Sequence, residues 1–227
     1  MDLVHPLPGR SRRAFAALLV ALLATTGLAL VGPAAGAASK STAKATNGEM
    51  AWAFSNYVLT PNPATLSVSE VHEAEAPATF ADGTGWTFTD GSGTFDPKTG
   101  ALAVEFPGAI EFGNTSRGNY AFKLANPAIE LDADGDGTLT AEFSLRPAGA
   151  TAYNAASRIV VLDITGAEPT STKKTVEVTA APTAFSSELV TAAADLAAHF
   201  QATGSANDVN KPPAPITLTF DYKVKKK

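Results

Sequence analysis

The sequence predicts a mainly β protein, an antiparallel β-sandwich or flattened barrel with one α-helix in its C-terminal half. Three observations point there. From Met50 onward apolar residues recur at every second position, which puts one face of a pleated strand on a core and the other in solvent. The patterned runs are separated by clusters of Gly, Pro, Asp and Asn, the residues that turns require. Only Ala184 to Gln201 changes to helical spacing.

Residues 1–37 read as a signal peptide. Arg10, Arg12 and Arg13 precede an apolar run from Ala14 to Val31, and Ala35-Gly36-Ala37 places small residues where a signal peptidase reads. Ser11-Arg12-Arg13-Ala14-Phe15 also matches a twin-arginine export motif. An ordinary secretory signal with two adjacent arginines fits the same residues. Residues 38–49 are polar and small and read as a flexible linker. Residues 50–222 are then the folded domain and 223–227 a basic tail. The expected protein is exported, extracellular or associated with the cell envelope, with no transmembrane anchor once the signal is cleaved.

Within the domain, Leu102, Val104 and Phe106 share one strand face, and Ile110 and Phe112 continue nearby. Leu139, Ala141, Phe143 and Leu145 form the next stripe, then Val160, Leu162 and Ile164, and finally Ile216, Leu218, Phe220 and Tyr222. Asp90-Gly91-Ser92-Gly93 and Asp96 to Gly100 read as turns. Asp132 to Gly137 reads as a hairpin tip, and Gly166 to Lys174 as a polar connection. In the helical stretch Phe185, Leu189, Ala193, Leu196 and Phe200 fall on one side. Ser186 or Ser187 can cap its start, and Gly204 lies beyond its end. Pro212, Pro213 and Pro215 impose an extended lead-in to the last strand.

Composition narrows the chemistry. The 227 residues contain no cysteine, which removes disulfides, thiolate zinc sites and thiol nucleophiles together. A net charge of −5 without a continuous basic stretch before the C-terminus argues against nucleic acid as a partner. There are three histidines. His5 leaves with the signal, His72 lies among glutamates, and His199 follows Asp195 by one helical turn, the spacing of a surface pair. No catalytic motif surrounds any of them, so no enzyme is expected. Asp132, Asp134, Asp136 and Gly137 match the first half of an EF-hand loop, but the twelfth position, which needs a bidentate Glu, is Phe143. An acidic hairpin tip and a weak calcium site are the two readings of that loop.

A binding function enters through a set of ordered motifs. They are Trp52-Ala-Phe-Ser-Asn-Tyr57-Val58, Gly85-Trp-Thr-Phe88, Gly93-Thr-Phe-Asp-Pro-Lys-Thr-Gly100, Val104-Glu-Phe-Pro-Gly108-Ala-Ile-Glu-Phe112 and Leu124-Ala-Asn-Pro127-Ala-Ile-Glu-Leu131, followed by the helix and Ile216 to Phe220. In this order they resemble the HtaA domain, a bacterial haem-binding module. The resemblance implies an exported protein that accepts haem and relays it to other envelope haem-transport proteins. It implies Tyr57 as the ligand to haem iron; a phenolate oxygen is a hard anionic donor suited to ferric iron. The family's supporting histidine corresponds to Ser116, which can hydrogen-bond a phenol but not take its proton. Arg117, beside it, is a candidate partner for the tyrosinate or for haem propionates. The alternative is an envelope module that keeps the fold without haem and binds protein or glycan.

Overall fold

The computed structural model describes residues 42–54, 70–81, 84–114, 119–182, 184–192 and 213–223. In chain order the described elements are β1 (Ala43–Trp52), β2 (Glu70–Glu75), β3 (Thr79–Ala81), β4 (Gly85–Phe95), β5 (Leu102–Glu105), β6 (Ala109–Asn114), β7 (Tyr120–Leu131), β8 (Gly137–Arg146), β9 (Ser157–Ile164), β10 (Glu168–Ser171), β11 (Thr175–Ala180), helix α1 (Ser187–Ala192) and β12 (Ile216–Lys223). Among the described residues the chain adopts the expected mainly β, antiparallel architecture, with one helix in the C-terminal half.

The strands form one branched sheet. It runs β10-β11-β12-β1-β4-β5-β7 and continues from β7 through β8 to β9, with β3 beside β4 and β6-β2 beside β7. Two long strands create the branching. Along one edge β4 pairs with β1; on the other it pairs with β3 at its start and β5 at its end. Likewise β7 pairs with β8 along one edge, and on the other with β6 over Tyr120–Ala125 and then β5 over Ala128–Leu131. The division falls at Asn126-Pro127, where the ladder shifts register. Pro127 has no N–H to donate to a ladder, and Asn126 takes a positive φ of 48°. The corner is closed by Asn126 N–H donating to the Gly108 carbonyl at 2.8 Å and Phe106 N–H to that of Pro127 at 2.9 Å.

Arg158, on β9, braces this corner from outside. Its guanidinium donates to the Asn126 carbonyl at 3.1 Å, to Thr140 Oγ1 at 3.2 Å and to Glu105 Oε1 at 3.1 Å. One side chain thus ties β5, β7, β8 and β9 together.

Inward-facing side chains follow the two-residue period. Leu102, Val104 and Phe106 are buried, as are Leu139, Ala141 and Phe143, and Ile216, Leu218 and Phe220. On β9 the expected stripe needs correction. Val161 is fully buried and Val160 only half so, because the β8–β9 register shifts between Leu139 and Thr140. A bulge there brings one additional residue onto the core side.

Three further expectations change. The linker assigned to 38–49 gives way to strand at Ala43, which runs unbroken to Trp52 between β4 and β12; Ala43 and Ala45 are small apolar residues on its buried side. The turn expected at Asp90 to Gly93 is not a turn: β4 passes straight through, with Asp90 at φ 61° beside a register shift against β1. The connection from Gly166 to Lys174 contains strand β10, which pairs with β11 through Glu168↔Thr179 to Ser171↔Val176. The basic tail begins inside β12, which reaches Lys223. Residues 1–37 and the helical positions beyond Ala192 lie outside the described residues.

Helix α1 starts as the sequence indicates. Ser186 Oγ accepts from Leu189 N–H at 3.1 Å, and Ser186 N–H donates to the Val161 carbonyl at 2.9 Å. Glu188 Oε2 accepts from Val160 N–H at 2.7 Å. The start of the helix therefore occupies hydrogen-bonding positions on the outer edge of β9 that would otherwise stand open to another strand. Ser186→Ala removes the cap and a partner of that edge, and should lower stability by about 1–2 kcal/mol in urea denaturation.

Candidate functional site

The three residues singled out for haem, Tyr57, Ser116 and Arg117, lie outside the described residues, within 55–69 and 115–118. The structure does describe the residues that lead into both segments, and these meet. Phe54, the last described residue before 55, has its ring 4.6 Å from that of Phe112 and 5.6 Å from that of Phe122. Phe112 lies on β6 and Phe122 on β7, paired in register and stacked at 5.0 Å with a 9° interplanar angle. In the sequence, residues 115–118 fall between these two strands. Tyr57 is three residues from Phe54, a reach of at most about 11 Å.

This junction is an aromatic cluster. Trp52 packs on Phe54 at 5.2 Å, Phe185 on Phe54 at 4.8 Å and Trp86 on Phe112 at 4.4 Å. Trp86, on β4, also packs on Phe80 of β3 at 4.8 Å, and its indole N–H donates to the Glu73 carbonyl on β2 at 3.1 Å. These rings are in mutual contact among the described residues. Trp52 Nε1 is buried with no hydrogen-bond acceptor among the described residues.

A charged group flanks the same two strands on their outer face. Arg146 donates through Nε to the carbonyl of Asn119, the first described residue after 118, at 2.8 Å, and pairs with Glu111 Oε1 at 3.3 Å. Its guanidinium also lies 5.0 Å from the centre of the Tyr153 ring, a cation–π distance. Lys123 pairs with Glu75 one row away. This group leaves no local signature in the sequence, because Glu111, Arg146 and Tyr153 come from β6, β8 and the β8–β9 connection with no shared spacing.

The described tyrosines differ in what they offer a metal. Burial first, and the neighbouring Glu111 carboxylate second, push the Tyr153 phenol well above its ordinary pKa, which keeps it protonated and a poor anionic ligand. Tyr222 spends its hydroxyl on the Thr172 carbonyl at 2.8 Å. Tyr120 is buried in the core.

The acidic loop from Asp132 to Gly137 forms the β7–β8 hairpin tip. Asp132 Oδ1 accepts from the N–H groups of Asp134 and Asp136 at 2.8 and 3.0 Å, and Asp136 Oδ1 accepts from Gly166 N–H at 2.8 Å. These carboxylate oxygens hold backbone in place and do not converge on a point. Among the described residues no three His, Cys, Asp or Glu side chains are grouped to hold a metal ion. The Asp195–His199 pair lies outside the described residues.

The described residues form a branched antiparallel β domain with an aromatic junction at one end. The HtaA family model matches residues 47–196, and the chain belongs to that family. The crystal structure of the C-terminal domain of HtaA from Corynebacterium glutamicum superimposes with a TM-score of 0.58 at 16% identity, covering 80% of this chain and 99% of that one. A domain-swapped dimer of a histidine-to-alanine variant of the same domain gives 0.50 at 16% identity, over 68% of this chain and 84% of the other. These two likenesses concern the fold. No curated protein matches the sequence. HtaA proteins are haem-uptake proteins of the cell envelope, so a haem-related role holds for this chain at the level of its family.

Proposed function

We propose that this protein binds haem outside the cytoplasm and passes it on without chemical turnover, with Tyr57 as the ligand to iron. The observation that carries the reading is the meeting of Phe54 with Phe112 and Phe122. It brings the residue from which the chain leads towards Tyr57 against the two strands between which Ser116 and Arg117 fall in the sequence. An aromatic base of this kind backs one face of a porphyrin, while basic side chains at the rim serve its propionates. Arg117 takes that part here. The iron supplies the Lewis acidity; the chain's share is to present an anionic oxygen and an apolar backing. Tyr57 suits the first task better than its fellow tyrosines, given the protonated Tyr153, the hydrogen-bonded Tyr222 and the buried Tyr120.

The test is titration of the mature protein with ferric haem. A shifted Soret band should develop in wild type and be lost in Tyr57→Phe. An unperturbed spectrum in wild type, or an equal one in the variant, counts against the assignment. With a serine in place of a base, the phenol must ionise unaided. Ser116→His should therefore tighten haem binding by about tenfold and lower the pH at which the tyrosinate charge-transfer band appears. An unchanged affinity would put that loop away from the ligand.

A further inference from the structure

The outer face of the sheet carries a second feature, unrelated to the aromatic junction. A groove of about 450 Å³ crosses β4, β5, β7, β8 and β9, within the usual size of small-ligand sites, about 300–1,000 Å³. Two cross-strand rows shape it. One runs Ser92↔Glu105↔Ala128↔Thr140 and the other Thr94↔Ala103↔Glu130. Crossing five strands takes about 19 Å at the ordinary interstrand spacing, so the groove is a trench perpendicular to the strands.

We propose that this trench is a binding site for a neutral oligosaccharide lying across the sheet. Its floor is made by the methyl groups of Ala103 and Ala128 with Gly93 between the rows, a flat apolar strip on which the C–H face of a pyranose can rest. Hydroxyls of Ser92, Thr94 and Thr140 line it, and each both donates and accepts. Glu130 has no ion-pair partner among the described residues, leaving two carboxylate oxygens for sugar hydroxyls. Arg158 closes one end, held by Glu105, Thr140 and the Asn126 carbonyl, so one wall is ordered before any ligand arrives. The charges argue for a neutral ligand. An anion would meet Glu105, Glu130 and Glu142, with a single guanidinium already engaged by carboxylates; against a cation, the lining offers only one uncompensated carboxylate beside three hydroxyls and two alanine methyls. Amphipathic, uncharged and hydroxyl-rich is the chemistry left. No aromatic ring lines the trench, so binding is expected to be weak.

The experiment is an amide-resolved NMR titration of the mature protein with maltotetraose, mannotetraose and N-acetylchitotetraose, each taken to millimolar excess. At least one should shift resonances confined to 92–94, 103–105, 128–130, 140 and 158. Ala128→Tyr, which fills the floor from an outward-facing position, should weaken that binding by about tenfold or more, while the spectrum elsewhere shows the fold retained. Glu130→Ala should weaken it less. No localised shifts with any of the three sugars overturns the proposal, as do shifts that persist unchanged in Ala128→Tyr. Haem titration of Ala128→Tyr should match wild type, which separates this site from the one around Tyr57.

Discussion

Phe122→Ala should lower the unfolding free energy by about 3–5 kcal/mol, enough to leave a domain of ordinary stability, about 5–15 kcal/mol, near its limit. The side chain is fully buried. It stacks on Phe112, touches Phe54 and lies 6.2 Å from Phe143, so it joins β6, β7, β8 and the end of β1. Truncation leaves a cavity bounded by rings from several strands, which cannot all collapse into it without breaking the sheet. Phe122→Leu keeps most of the volume and should cost only about 1 kcal/mol. Urea denaturation of both variants decides the matter; a loss under about 1 kcal/mol for the alanine would mean the cluster is not the domain's packing centre. Because Phe54 rests on Phe122, the alanine variant should also bind haem more weakly than the leucine one, a difference that a purely global loss of stability would not give at a temperature where both are folded.

What the sequence disclosed and withheld follows from how local each signal is. Alternation depends on one strand and one core, so Leu139 to Phe143 and Ile216 to Phe220 were readable residue by residue. The Ser186 cap was readable because its acceptor and donor lie three residues apart. Pairing across the chain was not. Ala43 to Gly48 resembles a linker in composition, and becomes strand because β4 and β12 supply hydrogen bonds to both of its edges. The bulge that puts Val161 inside depends on the register against β8, which alternation within β9 does not encode. The candidate site divides in the same way. Tyr57 and Ser116 stand out through ordered family motifs and Arg117 through its charge beside Ser116, whereas the contact between Phe54 and strands β6 and β7, and the Arg146–Glu111–Tyr153 group, exist only once distant strands are assembled.

Glycine shows that division most sharply and sets the second large effect. Asp90-Gly91-Ser92-Gly93 has the composition of a turn, yet its glycines serve close approach within a strand. A Cβ on Gly91 would sit 2.3 Å from the ring of Phe106, and one on Gly93 would sit 1.9 Å from the Ala103 carbonyl oxygen. The second contact is with backbone of the paired strand β5, which cannot rotate away as a side chain can. Gly93→Ala should therefore force β4 and β5 apart at Gly93↔Val104 and cost about 2–3 kcal/mol. A glycine whose role is only its dihedral angle provides the comparison. Gly149 has φ +80° and nothing within 4 Å of its would-be Cβ, so Gly149→Ala should cost about 1 kcal/mol from strain alone. Thermal denaturation of the two variants side by side reads the difference. If Gly93→Ala were as mild as Gly149→Ala, the residues from Asp90 to Gly93 would be acting as the turn their composition suggests, and β4 would not link the two branches of the sheet.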